Sequence, residues 1–429
     1  MIRSGYVPVA PVPFEDYRRR PRVGATPDRR PPSAAFLTSV AGQLRAALEA
    51  PIPPDRIAAA LTEACERWRD RNFPPRRETL SSSATALGHS LAMLDESLDA
   101  LLKPFHARAL KSLASKLAVR RELFGFIMPG NVMGAGLHEL CQALLASAAV
   151  ILKTSSAEPM FFTAFANTLR EIDAQFGSRV AVLKWSRDHT EMTAALKSVS
   201  DHLVAFGDDD TLASLAPDTR LIGFGSRLSG VLVASDCERK PVADAVARDV
   251  TLFEQRGCLS PHHVFVEDPK GGFARAFACD LAASLAELAK RIPPPSRLSL
   301  EDAAAIRRAR ESARWRRIVG DDLEMWEGED FGWTVIYEGD ACFRISPGHR
   351  TAYVTPIHDL ADLERRLEPV AGRLEAFGLA DPRGRLDGVR AHLRAIGVSY
   401  IAAPGEMQSP PLDWRHGGGA LLDLFMPAK

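Results

Sequence analysis

From Arg121 onwards, short apolar runs alternate with longer segments of helical periodicity, and no other feature of the sequence constrains the fold as strongly. Strands that alternate with helices form βαβ units, in which the strands run parallel and the helices cover the sheet. We therefore predict a parallel α/β sheet of the nucleotide-binding type. Its predicted strands are Leu123 to Met128, Val150 to Lys153, Val180 to Trp185, His202 to Phe206 and Leu221 to Phe224.

The same alternation continues in the second half of the chain. A strand at Val231 to Ala234 is followed by a predicted helix over Pro241 to Gln255, which ends at Gly257. Strands and helices then follow again, which indicates a second α/β domain. Its predicted strands are Pro261 to Val266, Trp333 to Tyr337, Cys342 to Ile345 and Thr351 to Val354.

The composition narrows the classes of function. Basic and acidic residues each number 54, and the resulting formal charge of zero argues against a nucleic-acid binder. No apolar run approaches the roughly 20 residues that span a bilayer, and no leader pattern opens the chain, so we expect a cytoplasmic protein without a membrane span. The six cysteines form no C-x-x-C pair, so no metal site and no disulfide framework is predicted.

Two polar clusters follow predicted strands, where ligands of open α/β sheets bind. After the first strand, Asn131 offers an amide donor that could polarise a carbonyl, although asparagine also caps helices. After the second, Lys153 is followed by hydroxyl residues that include Ser155 and Ser156, a set suited to ribose oxygens or a phosphate. An ordinary lysine at the end of a strand is the alternative.

A third cluster surrounds Cys258, which lies between a predicted helix and a predicted strand. The neighbouring Gly257 has no side chain and leaves the Cys258 sulfur accessible, as a nucleophile requires. Alternatively, Cys258 is a small residue of the core. A helix ending at Gly257 would oppose the thiolate, so activation must come from backbone amides, Asn131 or the helix after it. His262 and His263 lie on opposite faces of a strand, and we expect structural roles for them.

These clusters resemble the LuxC-type acyl-CoA reductase branch of the aldehyde dehydrogenase superfamily, over roughly Ala59 to Phe425. The specific stretches are Glu254-Gln255-Arg256-Gly257-Cys258-Leu259-Ser260-Pro261 and the late run from Gly405 to His416. The resemblance implies an α/β, aldehyde dehydrogenase-like fold with an oligomerisation tail. It also implies a homodimer or homotetramer, in which the tail crosses to a neighbour.

On this basis we divide the 429 residues into four parts. Residues 1–33, rich in proline and arginine, are predicted to form a mobile arm. Residues 34–235 would hold a helical lead-in and the Rossmann-type cofactor domain, and residues 236–396 the α/β catalytic domain. Residues 397–429 would be a tail that bridges domains and supports oligomerisation.

The resemblance also implies residue roles. Cys258 would be the nucleophile that accepts the acyl group, and Asn131 with the Cys258 backbone N–H would form the oxyanion hole. Lys153 would contact the adenosine ribose of a nicotinamide cofactor. The other predicted cofactor-binding positions are Ser155, Ser156, Gly207 and Gly225.

Two departures from the wider superfamily pattern refine the expectation. The stretch Gly223 to Arg227 lacks the glutamate that activates water in hydrolytic members, which favours a reductase over an aldehyde oxidiser. Glu254 is expected to face solvent or cap a network rather than replace that base. Ser156 stands where NAD-preferring relatives often carry glutamate, so NADPH is predicted as cofactor, with NADH as the alternative.

The predicted function is NADPH-dependent reduction of fatty acyl thioesters, acyl-CoA or acyl-protein, to aldehydes through a Cys258 thioester. Acylating aldehyde dehydrogenase activity, from aldehyde and coenzyme A to acyl-CoA, is an alternative. A cofactor-independent cysteine acyltransferase or thioesterase is another, although the sequence assigns no histidine and carboxylate to a triad. The branch works with acyl-activating and acyl-transferring proteins, which we expect as partners. The sequence does not indicate the length of the acyl chain in the substrate.

Overall fold

Two β-sheets organise the computed structural model, which describes residues 6–7, 33–158, 160–216, 220–384 and 387–427. The first sheet has the order β1-β4-β3-β2-β5-β6, and only β1 runs antiparallel to its neighbour. Its strands are β1 (Tyr6–Val7), β2 (Leu123–Ile127), β3 (Ala149–Thr154), β4 (Val180–Lys184), β5 (His202–Phe206) and β6 (Leu221–Phe224). The predicted parallel sheet is confirmed.

The order of the first sheet creates a binding crevice. The chain builds β2, β3 and β4 in one direction and then returns to the other side of β2 with β5 and β6. At such a switch point the connections leave the sheet on opposite sides and open a space beyond the carboxyl ends of the strands. Asn131 follows β2 and Gly207 follows β5, so both lie at this switch point.

Helices cover both faces of the first sheet. Serine side chains start two of them, since Ser33 accepts a hydrogen bond from Phe36 N and Ser90 accepts one from Met93 N. Buried aromatic residues such as Trp68 and Phe161 fill the core beneath the lead-in helices. The helices are α1 (Ala34–Glu49), α2 (Pro54–Arg69), α3 (Pro74–Leu87), α4 (Leu91–Leu102), α5 (Ala107–Ala114), α6 (Leu137–Leu145), α7 (Met160–Ile172), α8 (Ala174–Gly177), α9 (Thr190–Val199) and α10 (Asp209–Leu215).

The second sheet has seven strands in the order β13-β12-β7-β8-β11-β10-β9, with β9 antiparallel to β10. The strands are β7 (Leu228–Val233), β8 (Pro261–Glu267), β9 (Leu323–Glu327), β10 (Thr334–Glu338), β11 (Thr351–Ile357), β12 (Leu374–Ala380) and β13 (Tyr400–Ala402). The remaining helices are α11 (Arg239–Thr251), α12 (Phe273–Arg291), α13 (Leu300–Ile318), α14 (Leu360–Leu367), α15 (Asp387–Ala395) and α16 (Ala420–Phe425). None of the helices in the described ranges is long and apolar enough to cross a bilayer.

Several predicted boundaries differ from the structure. Strand β7 pairs with β8 and β12, so the sheets divide between Phe224 and Leu228, and the predicted boundary after residue 235 is too late. The predicted strand Cys342 to Ile345 is a loop. Of the predicted arm, Tyr6 and Val7 pair with β4, and most of the other residues lie outside the described ranges.

The C-terminal tail returns to the first domain of the same chain. Ala118 N donates to Phe425 O at 2.7 Å, and the guanidinium of Arg120 donates to Leu424 O at 2.6 Å. Farther back, Gln142 Nε2 donates to Leu412 O at 3.0 Å. The tail therefore joins the two domains, while its predicted role in oligomers stays a prediction.

Candidate active site

A cavity of about 1660 Å³ receives residues from both domains. Backbone loops after the parallel strands of the first sheet form one side, and the loop that precedes β8 lies on the other. All seven residues singled out from the sequence line it, namely Asn131, Lys153, Ser155, Ser156, Gly207, Gly225 and Cys258. The structure thus brings the predicted set together, and the roles of its members stay predictions.

The loop before Cys258 has an unusual backbone. Helix α11 ends at Thr251 rather than at Gly257, and Phe253, Glu254 and Gln255 follow with φ angles of 56°, 51° and 59°. Such left-handed conformations cost about 1 to 2 kcal/mol for each residue that is not glycine. Because α11 ends early, the negative end of its dipole does not lie beside Cys258, where we expected it to oppose a thiolate.

Buried polar contacts offset that cost. The guanidinium of Arg350 binds both carboxylate oxygens of Glu254, at 2.6 and 3.0 Å, and both side chains are fully buried. Gln255 Nε2 donates to the carbonyls of Pro261 and Thr351, each at 2.7 Å. Burial raises the pKa of Glu254, which the charge of Arg350 partly opposes. Of the two positions expected for Glu254, in solvent or within a polar network, the structure shows the second, and its carboxylate is held away from the cavity.

Cys258 itself is half-buried in a turn that faces the cavity. The hydroxyl of Ser229 on β7 donates to the Cys258 carbonyl at 2.6 Å and fixes the turn. Among the described residues, nothing accepts a hydrogen bond from the Cys258 backbone N–H. This N–H is therefore available to a ligand oxygen.

A histidine from the tail reaches the sulfur. His416 Nε2 lies 3.5 Å from Cys258 Sγ, and His416 Nδ1 lies 2.7 Å from Glu139 Oε1. A cysteine, a histidine and a carboxylate in this order form the arrangement that activates nucleophiles in many enzymes. The sequence-based statement that no triad could be assigned is corrected by this geometry.

The electrostatics of the three groups depend on one another. Burial alone would lower the pKa of His416, but the charges of Cys258 and Glu139, with a hydrogen bond to each, raise it well above its usual value. Burial would raise the pKa of Glu139, but the charge of His416 and the hydrogen bond with it bring that pKa below its usual value. The arrangement therefore favours a protonated His416 beside an ionised Glu139.

Asn131, in the loop after β2, contacts the loop that precedes Cys258. Its amide nitrogen donates to Arg256 O at 3.0 Å. Since an amide group carries two N–H bonds, the second remains available to a ligand. The close approach of this turn to β3 requires Gly130, because a side chain there would collide with Ser155.

Cations and hydroxyls line the part of the cavity beside β3, together with Asp188, Asp208 and Asp210. Lys153 is half-buried near the end of β3, and its partial burial, followed by the nearby charge of Arg187, lowers its pKa. Arg187, which the sequence analysis did not single out, lines the same cavity, as do Ser155 and Ser156. Two cations and two hydroxyls suit a ligand that carries ribose hydroxyls and phosphate.

Neither histidine after the cysteine contacts the sulfur. His262 accepts a hydrogen bond from Ser346 N at 3.0 Å, and His263 lies 2.9 Å from Thr355 Oγ1 in the core. Their structural roles agree with the expectation. The two ionisable residues near the sulfur that sequence reasoning missed left signals: Glu139 interrupts the apolar face of α6, and His416 ends the specific late run.

Comparison with known proteins gives a family and several relatives for this chain. A profile of the acyl-CoA reductase (LuxC) family matches residues 50–427. The long-chain acyl-protein thioester reductase 2 of Photobacterium leiognathi is 26% identical over 55% of this chain and 49% of its own length. The long-chain acyl-protein thioester reductase of Aliivibrio fischeri is 23% identical over 72% of this chain and 68% of its own length. The chain thus spans about half the length of the first relative.

Solved structures show the fold. Aldehyde dehydrogenase 21 from Physcomitrella patens superposes with a TM-score of 0.69 at 11% identity, over 92% of this chain and 90% of that one. The aldehyde dehydrogenase KauB from Pseudomonas aeruginosa superposes with a TM-score of 0.67 at 14% identity, over 87% and 81%. The predicted aldehyde dehydrogenase-like fold is confirmed. With the family profile matching most of its length, the chain belongs to the acyl-CoA reductase (LuxC) family.

Proposed function

We propose that the chain reduces long-chain acyl thioesters to aldehydes through a thioester on Cys258, with NADPH as the reductant. The observation that carries this proposal is one cavity that holds a half-buried cysteine sulfur beside His416 together with Lys153, Arg187 and two serine hydroxyls. The names of the relatives, which are thioester reductases, support the substrate class.

The residues present account for acyl transfer to the enzyme. The Cys258 sulfur attacks the carbonyl carbon of the thioester, and the developing oxyanion accepts hydrogen bonds from the Cys258 backbone N–H and the Asn131 amide. Expulsion of the donor thiol leaves the acyl group on Cys258. In the stretch Gly223 to Arg227 there is no carboxylate to activate water, so the acyl group is kept for reduction.

The donor set on the first sheet fits a nicotinamide dinucleotide. Lys153, Ser155 and Ser156 offer ribose and phosphate contacts, while Gly207 and Gly225 leave the backbone open to a ligand. When bound, the nicotinamide supplies the hydride that converts the acyl carbon to an aldehyde. The collapse of the reduced adduct then returns the Cys258 thiolate.

The preference for NADPH is expected to depend on Arg187. Replacing Arg187 with glutamine should weaken NADPH binding at least about tenfold and leave NADH binding nearly unchanged, because a charge-assisted hydrogen bond is worth about 1.5 to 3 kcal/mol. Titration of protein fluorescence with each nucleotide measures this. Ser156→Glu, which adds a carboxylate beside the 2′-phosphate site, should shift the preference in the same direction.

The control is Arg317→Gln, which removes an exposed arginine at the end of α13. It should leave the affinities for both nucleotides unchanged. Equal losses of NADPH and NADH affinity in Arg187→Gln would remove Arg187 from the recognition of the 2′-phosphate.

Asn131 is expected to stabilise the oxyanion. Asn131→Ala should lower the rate of Cys258 acylation and the turnover by roughly 10²- to 10³-fold, because the loss of one such donor typically costs about 2.7 to 4 kcal/mol. Stopped-flow assays of acylation and steady-state assays check this. A change below about threefold, with an unchanged melting temperature, would exclude Asn131 from the oxyanion hole.

A cofactor-independent thioesterase or acyltransferase is the second candidate, which the Cys258, His416 and Glu139 geometry favours. The two functions differ in the fate of the acyl-enzyme. A reductase holds the acyl group until NADPH is added, whereas a thioesterase releases free acid without nucleotide. Rapid acid release from wild type, with no NADPH binding, would select the second candidate.

The test of the proposed function is a panel of acyl-CoAs of increasing chain length, assayed for NADPH and NADH oxidation with aldehyde trapping. Aldehyde formed in equal amount to oxidised NADPH supports the proposal. An acyl carrier protein donor in the same assay decides between acyl-CoA and acyl-protein substrates, and aldehyde with coenzyme A and NADP⁺ measures the reverse direction. If no acyl donor led to oxidation of NADPH or NADH, the proposed reductase function would be overturned.

A further inference from the structure

We propose that His416 is a catalytic acid for acyl transfer, which protonates the thiol that leaves the acyl donor, and that Glu139 is its positioning residue. The inference rests on the proposed function and deepens it, since it names the group that handles the proton. It begins with the geometry: His416 Nε2 faces Cys258 Sγ at 3.5 Å while Glu139 Oε1 faces His416 Nδ1 at 2.7 Å.

The orientation of the His416 ring is fixed by its surroundings. Its ring stacks on Trp414 with centroids 4.2 Å apart and on Phe224 with centroids 4.5 Å apart. Aromatic faces carry partial negative charge, so these contacts stabilise a protonated ring more than a neutral one. Because the ring is held at both nitrogens and against two aromatic side chains, Nε2 stays directed at the sulfur.

Glu139 is placed to keep His416 protonated. It lies in the first turn of α6, where the helix dipole stabilises a negative charge, and its side chain is buried. A buried carboxylate without a cation beside it would be costly, and His416 supplies that cation. The charge of Glu139 is one of the causes that raise the pKa of His416.

The other charged or titratable groups around this pair are already engaged. Burial lowers the pKa of both His138 and His262, so both are neutral near pH 7. The remaining groups bind elsewhere: Glu375 accepts from Gly417 N, Arg227 lies 4.0 Å from Glu375, Arg256 pairs with Asp302, and Arg415 pairs with Asp423. Glu139 is therefore the carboxylate that governs the charge of His416.

The proposed step balances in atoms and charge. The Cys258 thiolate forms a bond to the acyl carbon, and the bond from that carbon to the donor sulfur breaks. The donor sulfur leaves with the bonding electron pair and takes the proton from His416 Nε2, so the products are the acyl-enzyme, the free thiol and a neutral imidazole. When the aldehyde has left, His416 takes one proton from solvent and the ion pair with the Cys258 thiolate is restored.

The chemistry of Cys258 tests this proposal without any nucleotide. In the full-length protein, we expect iodoacetamide to alkylate Cys258 at a nearly constant rate from pH 6 to pH 8, because a protonated His416 in contact with the sulfur would stabilise its thiolate. In His416→Gln the rate should instead rise about tenfold per pH unit towards an inflection near 8.5, as for an ordinary thiol. Peptide mass analysis distinguishes Cys258 from the exposed Cys279 and Cys342.

The acylation step gives a second readout. His416→Gln should take up the acyl group from a long-chain acyl-CoA at least about 10²-fold more slowly than wild type at pH 7, the usual contribution of a general acid or base. His358→Gln, which changes an exposed histidine remote from the cavity, is the matched control and should behave as wild type. Thermal melting of each variant confirms that it is folded.

The alkylation and acylation experiments distinguish failure of the His416 proposal from failure of the proposed function. Identical alkylation profiles and acylation rates in wild type and His416→Gln would overturn the inference while leaving the proposed function intact. A wild type that takes up no acyl group would overturn the proposed function, and the alkylation profiles would still decide whether His416 holds the proton.

The role of Glu139 is tested by the pH profile of Cys258 alkylation, which a purely structural role of Glu139 would leave unchanged. Glu139→Gln should shift the pH profile of Cys258 alkylation towards that of His416→Gln, whereas Glu139→Asp should restore the wild-type profile in part because it restores the charge. An unshifted profile in a folded Glu139→Gln variant would exclude Glu139 from positioning the acid.

Discussion

Replacing Cys258 with alanine is expected to abolish both acyl uptake and aldehyde formation, the largest effect on activity that the site predicts. Alanine has no nucleophile, and the other described polar groups in the cavity cannot form a thioester in its place. Cys258→Ser should lose nearly as much, because a hydroxyl is a far weaker nucleophile than a thiolate. Mass analysis of the protein after incubation with acyl-CoA measures acyl uptake, and aldehyde trapping measures turnover.

The matched control is Cys279→Ala, which removes an exposed thiol on α12 that lies outside the cavity. It should leave acyl uptake and turnover at wild-type levels. Aldehyde formation by Cys258→Ala at a rate near that of wild type would show that the reaction does not pass through this sulfur.

Loss of the Glu254 charge is expected to cause the largest change in stability. Glu254→Gln keeps the size of the side chain but leaves Arg350 as a buried cation without its carboxylate, and the loss of one partner of a buried ion pair costs about 3 to 5 kcal/mol. Arg350 also donates to Ile292 O and Pro293 O, so it cannot turn towards solvent without breaking these bonds. The melting temperature should therefore fall by several degrees.

Activity should fall together with stability in this variant, because Glu254 holds the left-handed turn that carries Cys258. Glu311→Gln is the control, since Glu311 is exposed on α13 and pairs with Arg314 at the surface. Exposed pairs contribute about 1 kcal/mol or less, so its melting temperature should stay close to that of wild type. A Glu254→Gln variant that melts like Glu311→Gln would contradict the structural role of the buried pair.

The parallel sheets could be predicted because their strands are local features of the sequence. In the strand Ala149–Thr154, the continuous apolar run Ala149 to Leu152 is followed by the polar Lys153 and Thr154, and such a run arises when both faces of a sheet are covered. The segment Cys342 to Ile345 contains the apolar residues of a short strand, but only Phe343 is buried, and the segment pairs with none of the described strands. The predicted domain boundary was wrong because tertiary contacts determine which sheet a strand joins. Strand β7 pairs with β8 and β12 and so belongs to the second sheet.

That Cys258, Asn131 and Lys153 lie in one cavity could be predicted because each is at the end of a strand or in a loop beside one, within a short stretch of sequence. His416 and Glu139 could not, since they lie 277 residues apart and meet only when the tail packs back onto α6. The buried position of Glu254 was missed for a similar reason, because its partner Arg350 lies in a loop of the second sheet. Long-range packing, rather than local propensity, assembled this part of the site.

The central claim is that the acyl group passes from its donor to Cys258 and from there to the aldehyde. A single-turnover experiment tests it most directly: the protein is mixed with a long-chain acyl-CoA, the Cys258 peptide is weighed, and NADPH is then added. We predict an acyl group on Cys258 that persists until NADPH is added and then leaves as one equivalent of aldehyde. Aldehyde formed while the Cys258 peptide stays unmodified, or acyl release as free acid with NADPH unchanged, would contradict the claim.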